Sequence, residues 1–114
     1  MKDFRCLLKR DESNPTCIAM LKRIYIGDYE LSIQASEYHY STPRKNLSNL
    51  FDYETMEVAV FKSEVWVNVA KDSFFNEWSE RYEFLESYDG MVAGYIPIKM
   101  IQSFCNYIEE KSNA

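Results

Sequence analysis

The clearest pattern in the chain is an alternation. In YELSIQAS, residues 29–36, Tyr29, Leu31, Ile33 and Ala35 fall on one side and Glu30, Ser32, Gln34 and Ser36 on the other. Period two marks a strand with one buried face. The segment before it, CIAMLKRIYI at 17–26, ends in the strand formers Ile24, Tyr25 and Ile26 and predicts a partner strand. Gly27-Asp28 then reads as the hairpin turn between the two. DFRCLL at 3–8 predicts a short first strand, and the polar KRDESNP at 9–15 a turn.

Residues 37–52 follow without periodicity, a long connection of the kind that carries function or moves. TMEVAVF at 55–61 sets Met56, Val58 and Val60 against Glu57, Ala59 and Phe61. After Lys62, Ser63 and Glu64, VWVNVA at 65–70 sets Val65, Val67 and Val69 against Trp66 and Asn68. These two runs predict a second hairpin.

The period then changes. In 72–86, Phe74, Phe75, Trp78, Tyr82 and Leu85 recur at helical spacing, with Asp72 or Ser73 able to cap the start. SYDG at 87–90 stops that helix, and MVAGYI at 91–96 reads as a strand. Pro97 suits the first position of a last helix over 97–110, with Ile98, Ile101, Cys105 and Ile108 on one face. The order β-β-β-loop-β-β-α-β-α implies an α+β fold: a mainly antiparallel sheet of five to six short strands, with two C-terminal amphipathic helices packed on one face. The 114 residues fit one domain, 1–114.

Composition narrows what such a fold does. No apolar run is long enough to span a membrane, and the apolar stretch near the start is too short and interrupted for a signal peptide. Cys6, Cys17 and Cys105 are odd in number and lack metal-type spacing, which favours reduced thiols and a cytoplasmic setting over a disulfide framework or zinc site. Aromatic residues make up 16% of the chain, nine of them tyrosines, more than a small core readily hides and a residue type that favours interfaces. Charge is uneven: residues 1–47 hold eight Lys/Arg against six Asp/Glu, a net +2, and residues 48–114 five against twelve, a net −7. A chain of net charge −5 repels nucleic-acid phosphates except locally, so direct nucleic-acid binding is disfavoured.

Two stretches carry candidate chemistry. SEYHYSTPRKN at 36–46 holds the only histidine, His39, between Tyr38 and Tyr40, with Arg44 and Lys45 close behind. His39 is the one side chain that titrates near neutrality, with Ser41 or Thr42 as conceivable nucleophiles, yet no catalytic motif such as GxSxG or HExxH joins them. The same tyrosines and cations could stack on single-stranded bases or clasp a protein. The second stretch is the acidic 72–89 region, where Glu77, Glu80, Glu83 and Glu86 are expected to form a broad polar face opposite the aromatic stripe. That face is either solvated or a mimic of nucleic-acid charge aimed at a basic groove. The carboxylates lack a calcium-loop pattern, so neither metal nor cofactor is expected.

These features point to a small acidic interaction protein that works by occluding a partner's surface. The expected partner is a protein, with a basic nucleic-acid-handling enzyme the best match to the charge. Anti-CRISPR or anti-restriction inhibitors of phages and mobile elements have this profile, as do immunity proteins that neutralise a toxin. A small enzyme or a single-strand binder using 37–46 is the rival, and the exposed aromatics leave a homodimer open.

Overall fold

The computed structural model describes residues 1–13 and 20–114. Among these described residues six strands form one antiparallel sheet: β1 (Ile24–Ile26), β2 (Tyr29–Gln34), β3 (Thr55–Lys62), β4 (Val65–Trp66), β5 (Tyr88–Asp89) and β6 (Val92–Pro97). The lateral order is β1-β2-β3-β6-β5, with β4 paired to the far end of β3. The 29–36 alternation holds: Tyr29, Leu31, Ile33 and Ala35 are all buried. The turn at Gly27-Asp28 joins β1 to β2 with Ile26 opposite Tyr29, and Gly27 takes the left-handed φ of +57° that such turns require.

The long helix α2 (Ile98–Ser112) lies on the face bearing Met56, Val58, Val60 and Ile96, and buries Ile101, Phe104, Cys105 and Ile108 against it. Phe104 belongs to the stripe as fully as the residues the periodicity picked out. Pro97 sits at the N-cap rather than inside the first turn, its extended ψ of 145° ending β6. Phe104 stacks on Phe75 and on Phe84, and Trp78 packs beside it with its indole N–H donating to Ser103 Oγ (3.0 Å). This aromatic cluster fills the core between the sheet and α2.

Several predicted elements take other forms. Phe4–Leu7 is a 3₁₀ turn rather than a strand; it buries Phe4, and Asp3 caps it by accepting from the Arg5 N–H. Of the 17–26 strand, only Ile24–Ile26 forms as predicted; 17–19 lie outside the described residues, and Leu21 makes an isolated bridge to Arg10. The 65–70 strand ends at Trp66, because Val67 and Val69 turn down into the core and Asn68 closes a turn through its side chain to the Ala70 N–H (2.9 Å).

The helix expected over 72–86 is not continuous. Ser73–Phe75 is a 3₁₀ turn capped by Asp72, and only α1 (Arg81–Glu86) is helical. Two tight turns in series set Phe75 and Trp78 inward about as well as a helix does, so the stripe was real while the helix was not. Tyr82, assigned to that stripe, is instead 70% exposed. The structure thus has one long amphipathic helix on the sheet, not two. Tyr88–Asp89 adds the strand β5, paired to β6 across the Gly90-Met91 turn, where the sequence reading saw only a helix stop. Among the described residues, no helix is long and apolar enough to cross a membrane.

Candidate binding face on the open side of the sheet

Register decides what the other side of the sheet displays. Tyr25 lies opposite Glu30, Glu30 opposite Phe61, and Phe61 opposite Trp66. Directly opposed residues in antiparallel strands point the same way. These four side chains therefore form one row across the sheet, on the side away from α2. Phe61 and Trp66 rings meet at 4.4 Å, and the Arg23 guanidinium sits 3.8 Å over Phe61 while bonding Glu30 (3.1 Å). Tyr25 and Trp66 remain 71% and 46% exposed.

A second cluster occupies the other end of β3. The β3–β6 register slips between Met56 and Val58: Ile96 faces Met56 and Ala93 faces Val58, so β6 spends an extra residue opposite Glu57. That bulge puts Tyr95 in the left-handed region at φ +55°. Tyr95's N–H, released from the ladder, donates to the Tyr40 carbonyl (2.9 Å). Tyr40's own N–H donates to Glu57 Oε2 (2.9 Å). The Tyr40 backbone is thus clamped from both sides, and its ring stacks on Tyr95 at 5.7 Å, with Arg44 5.1 Å over it. Gly94 makes room for this: a Cβ there would lie 2.9 Å from Tyr40 Cβ.

The two clusters stand four residues apart on β3, about 13 Å at strand rise. Between them lie the small side chains of Ser32 and Ala59, paired across β2 and β3. The open side therefore presents two aromatic–arginine clusters flanking a low middle. Stacked guanidiniums and rings of this kind suit a desolvated protein contact or a planar ring.

The 37–46 loop is built, not slack. Thr42 bridges Thr55, its N–H donating to the Thr55 carbonyl (3.2 Å) and its own carbonyl accepting from the Glu54 N–H (2.8 Å). Ser36 and Ser41 are buried; Ser41 Oγ bonds the Ser36 and Pro43 carbonyls. Further on, Tyr53 Oη donates to the Lys45 carbonyl and accepts the Leu47 N–H, and a 3₁₀ turn spans Leu50–Asp52. The 37–52 stretch is the irregular connection its lack of periodicity predicts, and buried hydroxyls and an isolated bridge at Thr42 satisfy much of its backbone.

The structure thus brings Tyr40, His39 and Arg44 to the edge of the open face. Tyr38 is 68% exposed beside them, and Lys45 is exposed further along the loop. His39 Nδ1 lies 2.6 Å from Ser36 Oγ. That hydroxyl has no exposed surface, so substrate cannot reach it as a nucleophile. Burial holds the His39 imidazole below its ordinary pKa; the Glu57 charge opposes this and Arg44 adds to it.

Glu77, Glu80 and Glu83 do not share a helix face. Glu77 precedes α1 and pairs with Lys111 of α2 (3.3 Å), Glu80 is the half-buried N-cap, and Glu83 projects from the first helical turn. Among the described residues no three His, Cys, Asp or Glu side chains gather as metal ligands. Tyr25, Trp66 and Tyr95 were not picked out from the sequence; their common face emerges only from the strand register. Compared with known family models, curated proteins and solved structures, the chain matches none of them.

Proposed function

We propose that this chain is a protein–protein interaction module that docks through the open face of its sheet and acts by covering the partner's surface. The observation carrying this reading is Tyr95. A bulky side chain at φ +55° is strained by about 1–2 kcal/mol relative to the ordinary regions, and glycine would occupy the site without strain. The fold nevertheless keeps an aromatic there, half exposed, in a stack with Tyr40. Ser63 and Glu64, at φ +51° and +65°, hold the tight turn that presents Trp66 in the same costly conformation. The strain at Tyr95 argues for display rather than packing. Tyr, Trp and Arg are the residues that dominate interface energetics.

The net charge of −5 supports a basic partner, such as a nucleic-acid-handling enzyme, steered by long-range attraction. Stoichiometric inhibition of the anti-defence or immunity type is the form of action that fits. The test is a nuclease-treated pull-down of the tagged chain from host lysate, with wild type, Trp66→Ala/Tyr95→Ala, and Glu77→Lys/Glu80→Lys/Glu83→Lys compared side by side. A stoichiometric protein lost only with the aromatic pair places the contact on the open face. Loss only with the charge reversals moves it to the acidic region, and retention by both variants overturns the reading. The stacked Arg23 and Arg44 favour one alternative, single-stranded nucleic acid on the same face. Tight anisotropy binding of oligonucleotides at low salt, abolished by the aromatic pair, would establish it.

A further inference from the structure

The sheet ends on one side at β1 (Ile24–Ile26), and among the described residues no strand pairs with its outer edge. Residues flanking a two-residue turn form a hydrogen-bonded pair, and such pairs alternate along a hairpin. Ile26–Tyr29 and Ile24–Leu31 are therefore the bonded pairs, and the Tyr25 N–H and C=O point outward. Further back along the chain, the Lys22 N–H is already taken by the Lys9 carbonyl (2.8 Å), so the open stretch is centred on Tyr25. Beside this edge runs an open groove of about 420 Å³ between β1 and the Phe4–Leu7 turn. Leu7 and the Tyr25 ring supply exposed apolar surface to it, and among the described residues Lys9, Lys22 and Arg23 are the charged side chains that line it.

From these observations we infer that the β1 edge accepts an extended, acidic protein segment as an added strand. Tyr25 offers one N–H and one C=O, the backbone pair from which strand addition starts. A pairing chain places alternate side chains over the groove, where Leu7 and Tyr25 take apolar ones and Lys9 and Lys22 meet carboxylates, Arg23 being held by Glu30. Among the described residues no acidic side chain lines this groove, while Asp11 and Glu64 stand on the adjoining surface shared with Lys22 and Arg23. Lysines at a sheet edge also guard against indiscriminate pairing, and that same guard selects a strand of opposite charge. The inference differs from the docking proposal in using backbone groups at the sheet's margin, although Tyr25 and Arg23 also belong to the row on the open face.

The probe is an end-blocked peptide of about eight residues alternating Glu and Val, titrated against the full chain by fluorescence anisotropy and amide hydrogen exchange. The acidic peptide should bind, a Lys-Val counterpart should not, and the Tyr25 amide should become protected in the complex. Lys9→Glu/Lys22→Glu should weaken binding at least about tenfold, and more so at low salt. N-methylation of alternate peptide residues keeps the charge but removes the ladder, and should abolish binding. Equal binding of the methylated peptide, or no binding of the acidic one at about 1 mM, overturns the inference. Tyr25 protection that rises with protein concentration alone assigns the edge to a second copy of the chain and likewise overturns it.

Discussion

At the scale of single residues, His39 shows how a residue singled out by its chemistry finds its role in its surroundings. Its imidazole is half-buried and bonded to a buried serine, and burial favours the neutral form. The unfolded chain thus binds a proton more readily than the native one. Stability from this group is full above the ordinary histidine pKa of about 6.5 and is lost as pH falls from there through the lowered native value. His39→Gln should therefore flatten the decline in urea midpoint between about pH 7 and 5.5, where other side chains change little. An unchanged slope would mean the imidazole is solvated. Glu64 offers a simpler test. It is exposed, at φ +65°, and glycine relieves its strain. Glu64→Gly should raise stability by about 1 kcal/mol and the melting temperature by about 4 °C, read by calorimetry.

At the scale of elements, side chains finish what the backbone ladder leaves undone. Continuing the β1–β2 register puts Leu21 opposite Gln34. There the Gln34 side-chain amide, not the backbone, pairs with Leu21: Oε1 accepts the Leu21 N–H and Nε2 donates to the Leu21 carbonyl, both at 2.8 Å. Gln34 is buried. Gln34→Leu keeps the volume but strands two buried backbone groups, and should cost about 2–4 kcal/mol in urea unfolding.

The same competition between side chain and backbone explains what the sequence could disclose. The 24–34 hairpin was legible because a Gly-Asp turn and strict alternation agree. The 72–86 region was not, since aromatic residues spaced for a helix are equally served by 3₁₀ turns that Asp72 caps and Asn76 extends. Asp89-Gly90 carried a turn signal for β5 that the helix reading absorbed. For the site, the Tyr38-His39-Tyr40 loop could be noticed as a cluster, whereas the Tyr25–Phe61–Trp66 row depends on which residues register places side by side. No periodicity within one strand reports that.

At the scale of the whole molecule, the two charge signs separate along the chain and also in their tasks. The residues after 47 carry the net −7, while Lys9, Lys22, Arg23 and Arg44 stand at the sheet's edge and open face. A basic partner should therefore associate faster at low ionic strength, with its on-rate falling severalfold between about 50 and 300 mM salt and its off-rate nearly constant. Stopped-flow mixing checks this, and salt-independent association would remove electrostatic steering from the account.

The Tyr40 clamp reaches further than its two hydrogen bonds. It joins residues 40, 57 and 95, and the last of these belongs to a strand made near the chain's end. Contacts of such wide sequence separation close late, because the loop entropy they require is repaid only once the intervening elements are in place. The ring pair at Tyr40 and Tyr95 is thus a surface that nascent or half-folded chains lack. Recognition through it is confined to finished molecules, and a partner that reads this pair inspects the completeness of the fold at the same moment that it binds.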